Sequence, residues 1–539
     1  MTLSIASGRT LSGELAARVR AQPERTWLIF EAVDGAVRTY SYAEFQRQVE
    51  RTARALADLG VQPGERVLLH LTNCPEFLLL WFGAARLGAA IVPTNVLSSD
   101  AELEYLCQHS ESVLVVVGPG LETRGEKLRA ACPAVRGMLV CGTTDDPSRS
   151  FDRALEHASS APLAHSPRSE DEVAILYTSG TTSKPKGCLI TNENYVHVGE
   201  ALARHVGLGP DDRAMAVLPY FHGNAQYYST MPALVSGASL VVAERFSASR
   251  YFLTAARQRV TVSSLFAAPM RMILAQPEPP TPIEHAMRLI WFAQNVTPAQ
   301  LAEWQRRFRV PLLQIYGMTE QLGWPLANPL HGERDNMSIG RPTLPFHCRV
   351  VDEQGADVAD GETGQLLVSG VPGVTLMRGY FKDPTATAAT LRDGWLWTGD
   401  NVRRRPDGYF EFVDRGKDMI KRAGENVAAS EVEAALKEHP AVFDTAVIGV
   451  PDPIRDEAIK AYVVTRAEMT VSADELIEFC RARLSKFRVP EQIEFRAELP
   501  RTSVGKIQKH VLRAEHLAAI AATVSDAGRD DPTTARGGA

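Results

Sequence analysis

No Cys-x-x-Cys pair occurs in this chain, and its seven cysteines, Cys74, Cys107, Cys132, Cys141, Cys188, Cys348 and Cys480, are scattered and odd in number. That excludes a disulfide framework and a thiolate zinc site, and implies reduced thiols in a cytoplasmic setting. An excess of positive charge is missing too. Lys and Arg number 58 against 64 Asp and Glu, a net charge of −6, with no strong basic block. The backbone attraction on which nucleic-acid binders rely is therefore absent, and no nucleic-acid partner is expected. Residues 1–21 lack the basic, apolar and small-residue order of a secretory signal. Ala214 to Ala243 contains no Asp, Glu, Lys or Arg, the nearest approach to a membrane span. Pro219, His222, Gly223, Asn224, Gln226 and Pro232 break it into pieces whose polar groups lipid would not satisfy, so it reads as a buried strand, a site loop and a buried helix.

What is present is ordinary globular material: 539 residues, 45% hydrophobic and 23% charged, enough for two or more domains. Apolar spacing predicts a helix over 42–60, a strand over 64–70, a helix over 79–87 and a strand over 90–92. A helix over 101–109 and a strand over 112–117 follow, the rhythm of parallel α/β layers, and the alternation returns between 213 and 314. Gly118-Pro119-Gly120 lacks the third glycine of a dinucleotide fingerprint and reads as a tight turn. After Asp414 the pattern becomes compact: helix 430–438, strands 442–450 and 459–465, helix 473–484. The tail 526–539 lacks large apolar residues and is expected to be disordered.

The densest chemistry lies in Tyr177-Thr178-Ser179-Gly180-Thr181-Thr182-Ser183-Lys184-Pro185-Lys186-Gly187, directly after the apolar run Val173 to Leu176. Glycine lets backbone N–H groups approach anionic oxygens, hydroxyls donate further hydrogen bonds, and lysine adds point charge, so the loop suits a polyphosphate. The common phosphate-loop spacing fails, because Pro185 stands where its second glycine should be. Downstream, in order, come Tyr316-Gly317-Met318-Thr319-Glu320, Gly394-Trp395-Leu396-Trp397-Thr398-Gly399-Asp400, Asp414-Arg415-Gly416-Lys417-Asp418 and Pro500-Arg501-Thr502-Ser503-Val504-Gly505-Lys506.

Together these segments resemble the adenylate-forming superfamily, from about Thr39 to Arg513, and most of all its crotonobetaine/carnitine-type CoA ligases. The resemblance implies an α/β fold: a large multi-layer N-terminal region over 1–413, with two α/β subdomains and a small β-rich one. A smaller mobile α+β lid over 414–525 follows, hinged near Lys417. It implies ATP, Mg²⁺ and coenzyme A, and activation of a small or medium carboxylic acid as an acyl-adenylate followed by thioesterification. A carrier-protein thiol or an unusual oxyacid such as nitrite is the neighbouring alternative, and a silent nucleotide sensor the alternative of another class. A homodimer and a carrier-protein partner are both compatible with the family.

By the same resemblance Lys506 reaches between carboxylate and α-phosphate, Glu320 holds Mg²⁺ with Thr178, and Thr319 touches the α-phosphate. Thr178, Ser179, Gly180, Thr181, Thr182, Ser183, Lys186 and Gly187 cradle the phosphates. Tyr316, beside Gly317, stacks on adenine, while Asp400 and Arg415 hold the ribose. Gly424, Glu425 and Asn426 form the loop that enters the site for the thiol step. His222 is read as a gate or orienting group; Asn224, Phe292 and Trp324 are expected pocket walls. Where relatives show a small Gly/Ala run beside adenine, this chain has Phe292-Ala293-Gln294-Asn295, whose Gln294 can hydrogen-bond a base edge or a substrate.

Overall fold

The computed structural model describes residues 4–178, 184–294, 296–415, 418–422, 425–452, 456–484, 486–501 and 507–527. The expected alternation is present. Helix Tyr42–Asp58 starts at a reciprocal cap, in which the Ser41 hydroxyl accepts from the Glu44 N–H at 3.1 Å and the Glu44 carboxylate accepts from the Ser41 N–H at 2.8 Å. Its buried Tyr42, Phe45, Val49, Ala53 and Leu56 recur at helical spacing and form one apolar stripe. Helix Pro75–Leu87 is buried on almost every side. It ends at Gly88, whose φ of 86° favours glycine and whose missing Cβ would strike the His165 ring at 2.4 Å.

Two sheets organise the N-terminal region. In the first, Leu312–Tyr316, Leu289–Ala293, Val262–Phe266, Arg213–Ala216, Ser239–Ala243 and Thr26–Glu31 lie side by side in that order, all parallel. In the second, Glu172–Thr178, Ala90–Pro93, Arg66–His70, Ser112–Val117 and Gly137–Val140 are parallel neighbours, and Lys186–Thr191 turns back antiparallel on Glu172–Thr178. Helices Tyr42–Asp58, Pro75–Leu87, Asn192–His205 and Met231–Ser236 fill the space between them in one apolar cluster that includes Phe45, Phe77, Trp81 and Tyr195. Each such large side chain contributes about 1.5–3 kcal/mol on burial. Outer helices close the remaining faces, with Phe252, Trp304 and Phe308 against the first sheet and Leu103, Cys107 and Leu128 against the second.

A five-stranded antiparallel sheet follows, with Trp395–Arg404 at its centre between Thr363–Ser369 and Phe410–Arg415. The C-terminal module has its own sheet, built on the long hairpin Val442–Asp452 with Asp456–Thr465, and its own apolar clusters. Its helices Ala429–Lys437 and Ala473–Arg481 match the expected ones. The hairpin of Met419–Arg422 with Glu425–Ala428, the strand Gln492–Phe495 and the helix Lys509–Ala527 were not anticipated. Residues 528–539, most of the tail expected to be disordered, lie outside the described residues.

Ala214 to Ala243 is richer than expected. After strand and loop, the chain forms a π-helix, Asn224–Thr230, continues as the α-helix Met231–Ser236, turns at Gly237 and enters a second strand, Ser239–Ala243. Among the described residues no helix is long and apolar enough to cross a membrane.

Candidate active site

The parallel strands of both sheets deliver their carboxyl ends to one cleft, the usual ligand position in open α/β sheets. Its volume is about 1310 Å³. Strand Leu289–Ala293 brings Ala293 and Gln294, strand Leu312–Tyr316 brings Tyr316 and Gly317, and strand Glu172–Thr178 brings Tyr177 and Thr178. The five-stranded sheet adds Thr398, Gly399 and Asp400, and the C-terminal module adds Arg501, Ile507, Gln508, Lys509, His510 and Arg513.

Thr178 stands opposite Lys186 across the mouth of the hairpin, so both flank the polyphosphate loop. The Lys186 ammonium lies 5.1 Å from the centroid of the Tyr380 ring, and the Tyr380 hydroxyl donates to Glu320 Oε1 at 2.9 Å. Glu320 is 6% exposed. Burial, reinforced by the Glu320 charge, pushes the Tyr380 phenol up, so it stays a donor. Lysine, phenol and carboxylate thus form one chain beside the loop. Nothing in the local sequence around Tyr380 marks it, and it was missed. Thr319 opens the short 3₁₀ turn carrying Glu320. Gly317 has no room for a side chain: a Cβ would meet the Tyr228 hydroxyl at 2.3 Å.

At the next position the Tyr316 hydroxyl donates to Asp400 Oδ2 at 2.6 Å, and the Asp400 N–H donates to the Thr398 hydroxyl at 3.1 Å. Strand register sets Asp400 opposite Arg415. At the inner end, His222 Nδ1 accepts from the Asn224 N–H at 3.2 Å, and its ring meets Phe266 edge-on at 5.4 Å. The loop carrying His222 is pinned by Asn73, also unforeseen. Its amide nitrogen donates to the carbonyls of Leu218 (3.1 Å) and Ala243 (3.0 Å), and its oxygen accepts from the Tyr220 N–H at 2.9 Å. Gln294 lines the cleft with φ of 75°, the left-handed region that glycine enters without strain.

Two expected pocket walls need correction. Phe292 is fully buried on the far face of its sheet, in the cluster with Ile290 and Trp304. Strand alternation turns Trp291 and Ala293 to the cleft side instead. Trp324 lies behind the wall, 5.6 Å from Tyr228 and 5.5 Å from Trp291; Phe221, Tyr227, Tyr228 and Phe266 line the space itself. Gly187 backs the hairpin, where a Cβ would strike Ile175 at 2.6 Å. Ser179, Gly180, Thr181, Thr182, Ser183, Lys417, Gly424 and Lys506 lie outside the described residues, as do the side chains of Arg415, Glu425 and Asn426. Cys188 is buried in the strand after the loop and its thiol is pushed well up by that burial, so it is no nucleophile.

The donor set fits Mg²⁺. Thr178 and Glu320 offer oxygen ligands at the phosphate end, and among the described residues no group of three or more His, Cys, Asp or Glu forms a cage. Hard oxygen donors of this kind suit a metal that keeps waters and phosphates as its other ligands.

A cleft flanked by Thr178 and Lys186 at the mouth of a hairpin, with the buried carboxylates Glu320 and Asp400 in its wall, has the donors and charges of a nucleotide-binding enzyme. Residues 15–381 match the model of the AMP-binding enzyme family and residues 431–506 that of the AMP-binding enzyme C-terminal domain. The chain is 37% identical to a crotonobetaine/carnitine–CoA ligase of Salmonella choleraesuis (strain SC-B67) over 497 residues, 91% of this chain and 96% of that one. The solved structure of ATP-bound MatB from Rhodopseudomonas palustris is similar, with TM-score 0.84, 27% identity, and coverage of 94% of this chain and 99% of that one. So is an anthranilate CoA ligase in complex with anthranoyl-AMP, with TM-score 0.86, 26% identity, and coverage of 95% and 98%. The chain belongs to the AMP-binding enzyme family. It is an AMP-forming acid–thiol ligase: ATP activates a small-molecule carboxylate as its adenylate, and coenzyme A takes the acyl group.

Proposed function

We propose that the cleft divides into three stations and that the lid at 414–525 serves them in turn. The carboxylate oxygen of the acid attacks the α-phosphorus of ATP, and the bond to the pyrophosphate oxygen breaks. The thiol sulfur of coenzyme A then attacks the acyl carbon, the bond to the AMP oxygen breaks and AMP leaves. Every reactant in the first step is anionic, so charge must be met rather than a base supplied. Thr178, Lys186 and the loop between them bind the phosphates; Glu320, held by Tyr380, would ligate Mg²⁺ with Thr178. Bound Mg²⁺ neutralises charge on the phosphate oxygens. Asp400, oriented by Tyr316, accepts from the ribose hydroxyls, and His222 shapes the inner end for the acid.

One observation carries the reading: segments on both sides of 502–506 line the same cleft as Glu320 and Thr178, which supports Lys506 as the group the lid delivers to the reacting phosphate. A strand bridge between Arg501 and Ile507, and the hydrogen bond from the Gln508 N–H to the Pro500 carbonyl at 2.8 Å, hold the base of that loop. The test separates the half-reactions. Lys506→Ala is expected to lower ATP–pyrophosphate exchange by about 100-fold or more, while thioester formation from supplied acyl-adenylate stays within about threefold. Equal loss in both halves would overturn the assignment. Crotonobetaine, carnitine, anthranilate and benzoate make the first panel of acids.

A further inference from the structure

Asn224 is 2% exposed, lines the inner end of the cleft, and has no hydrogen-bonding partner for either its amide nitrogen or its amide oxygen. A buried carboxamide left unpaired on both atoms costs stability; Gln314 and Gln321 share that condition, but of the three only Asn224 lines the cleft. The surroundings do not relieve it. Phe221, Tyr228 and Phe266 present rings to the same space, and His222 Nδ1 is already taken by Asn224's own N–H. The residue also opens the π-helix Asn224–Thr230, a geometry that concentrates at functional sites. Charge narrows the choice of partner. Of the described lining residues, those in segments 221–228, 266 and 293–294 include no Asp, Glu, Lys or Arg, so a group bound there is met by dipoles and ring faces rather than by an opposite formal charge.

We propose that the acid this ligase activates carries a neutral hydrogen-bonding group, a hydroxyl, carbonyl or carboxamide, and that the Asn224 carboxamide receives it and sets specificity. The proposal rests on the assignment of the inner end to the acid. A site built to pair a polar group rejects the analogue lacking it, because its own buried group is then stranded.

The experiment measures ATP–pyrophosphate exchange with acids matched in shape: 3-hydroxybutanoate against 3-methylbutanoate, succinamate against 4-methylpentanoate, and 3-hydroxybenzoate against 3-methylbenzoate. For the wild type, at least one polar acid is expected to exceed its methyl partner about 100-fold or more in kcat/KM. Asn224→Leu is expected to reduce that ratio at least tenfold, with ATP affinity unchanged by calorimetry; Asn224→Ser replaces it should the leucine variant not fold. Preference for the methyl partner in every pair, or an unchanged ratio in a folded variant, would overturn the inference and leave the ligase reading intact. Exchange with no acid, despite ATP binding, would overturn both.

Discussion

At Asp400 a single carboxylate is 4% exposed yet holds the Tyr316 hydroxyl at 2.6 Å. A hydrogen bond from a hydroxyl to a carboxylate is worth about 1.5–3 kcal/mol, so Asp400→Asn should raise the KM for ATP by roughly 10- to 100-fold. Pyrophosphate release at saturating ATP should fall far less, and steady-state kinetics over ATP concentration checks the split. Glu320 after Tyr-Gly-Met-Thr and Asp400 after Trp-Thr-Gly were singled out through the family resemblance of those segments, and both line the cleft. Tyr380 and Asn73 escaped because a phenol or a carboxamide in a loop is commonplace; only folding places one on Glu320 and the other across two sheets.

Within single elements, spacing gave the type but not the facing. Helix Tyr42–Asp58 was recoverable because its apolar stripe and its Ser41/Glu44 cap agree. Strand Leu289–Ala293 lies in the stretch where the alternation was expected to return, yet its uniformly apolar residues gave no clue to which face meets the cleft, and Phe292, expected in a pocket wall, packs on the far side. A strand buried on both faces loses the alternation that would settle this. Phe292→Ala should therefore lower unfolding free energy by about 3–5 kcal/mol, seen in urea titration, while the order of preference among acids is unchanged. The π-turn at Asn224 left no periodic trace at all, since one widened turn is shorter than any window over which spacing can be judged.

On the scale of the whole molecule, the junction of the N-terminal region and the C-terminal module is bonded on either side of 416–417. The Ser430 hydroxyl donates to the Val413 carbonyl, and its N–H donates to Asp414 Oδ2 at 3.2 Å. Lys509 pairs with Glu433 at 2.9 Å. Although burial works against its charge, Glu433, Asp414 and Asp418 outweigh that and keep it protonated. These contacts favour the orientation in which Arg501 and residues 507–510 line the cleft. Ser430→Ala should slow adenylate formation about three- to tenfold without slowing thioester formation from supplied adenylate, and stopped-flow measurement of each half would show it.

Acid sensitivity is also a property of the whole. Burial lowers both His70 and His197 from 6.5 to about 4, so the folded state keeps them neutral while the unfolded chain binds protons. Their stabilising contribution is complete above pH 6.5 and is lost as pH falls toward 4. Each should cost about 2 kcal/mol between pH 7 and pH 5, visible as a falling Tm. His197→Gln should flatten that fall. The layered α/β plan was legible from alternation alone, whereas the route by which two sheets meet at one cleft was not, because side-by-side order is a long-range property.

Asn73 follows the strand Arg66–His70, but two of its hydrogen bonds fasten the His222 loop and the third the end of strand Ser239–Ala243, both of the other sheet. On the proposed placement of the acid beside His222, selectivity is shared property of two halves. Recombining this protein with a relative at a crossover between residues 73 and 218 would give each offspring a strut cut for another's loop, so successful exchange of specificity requires inheriting both together.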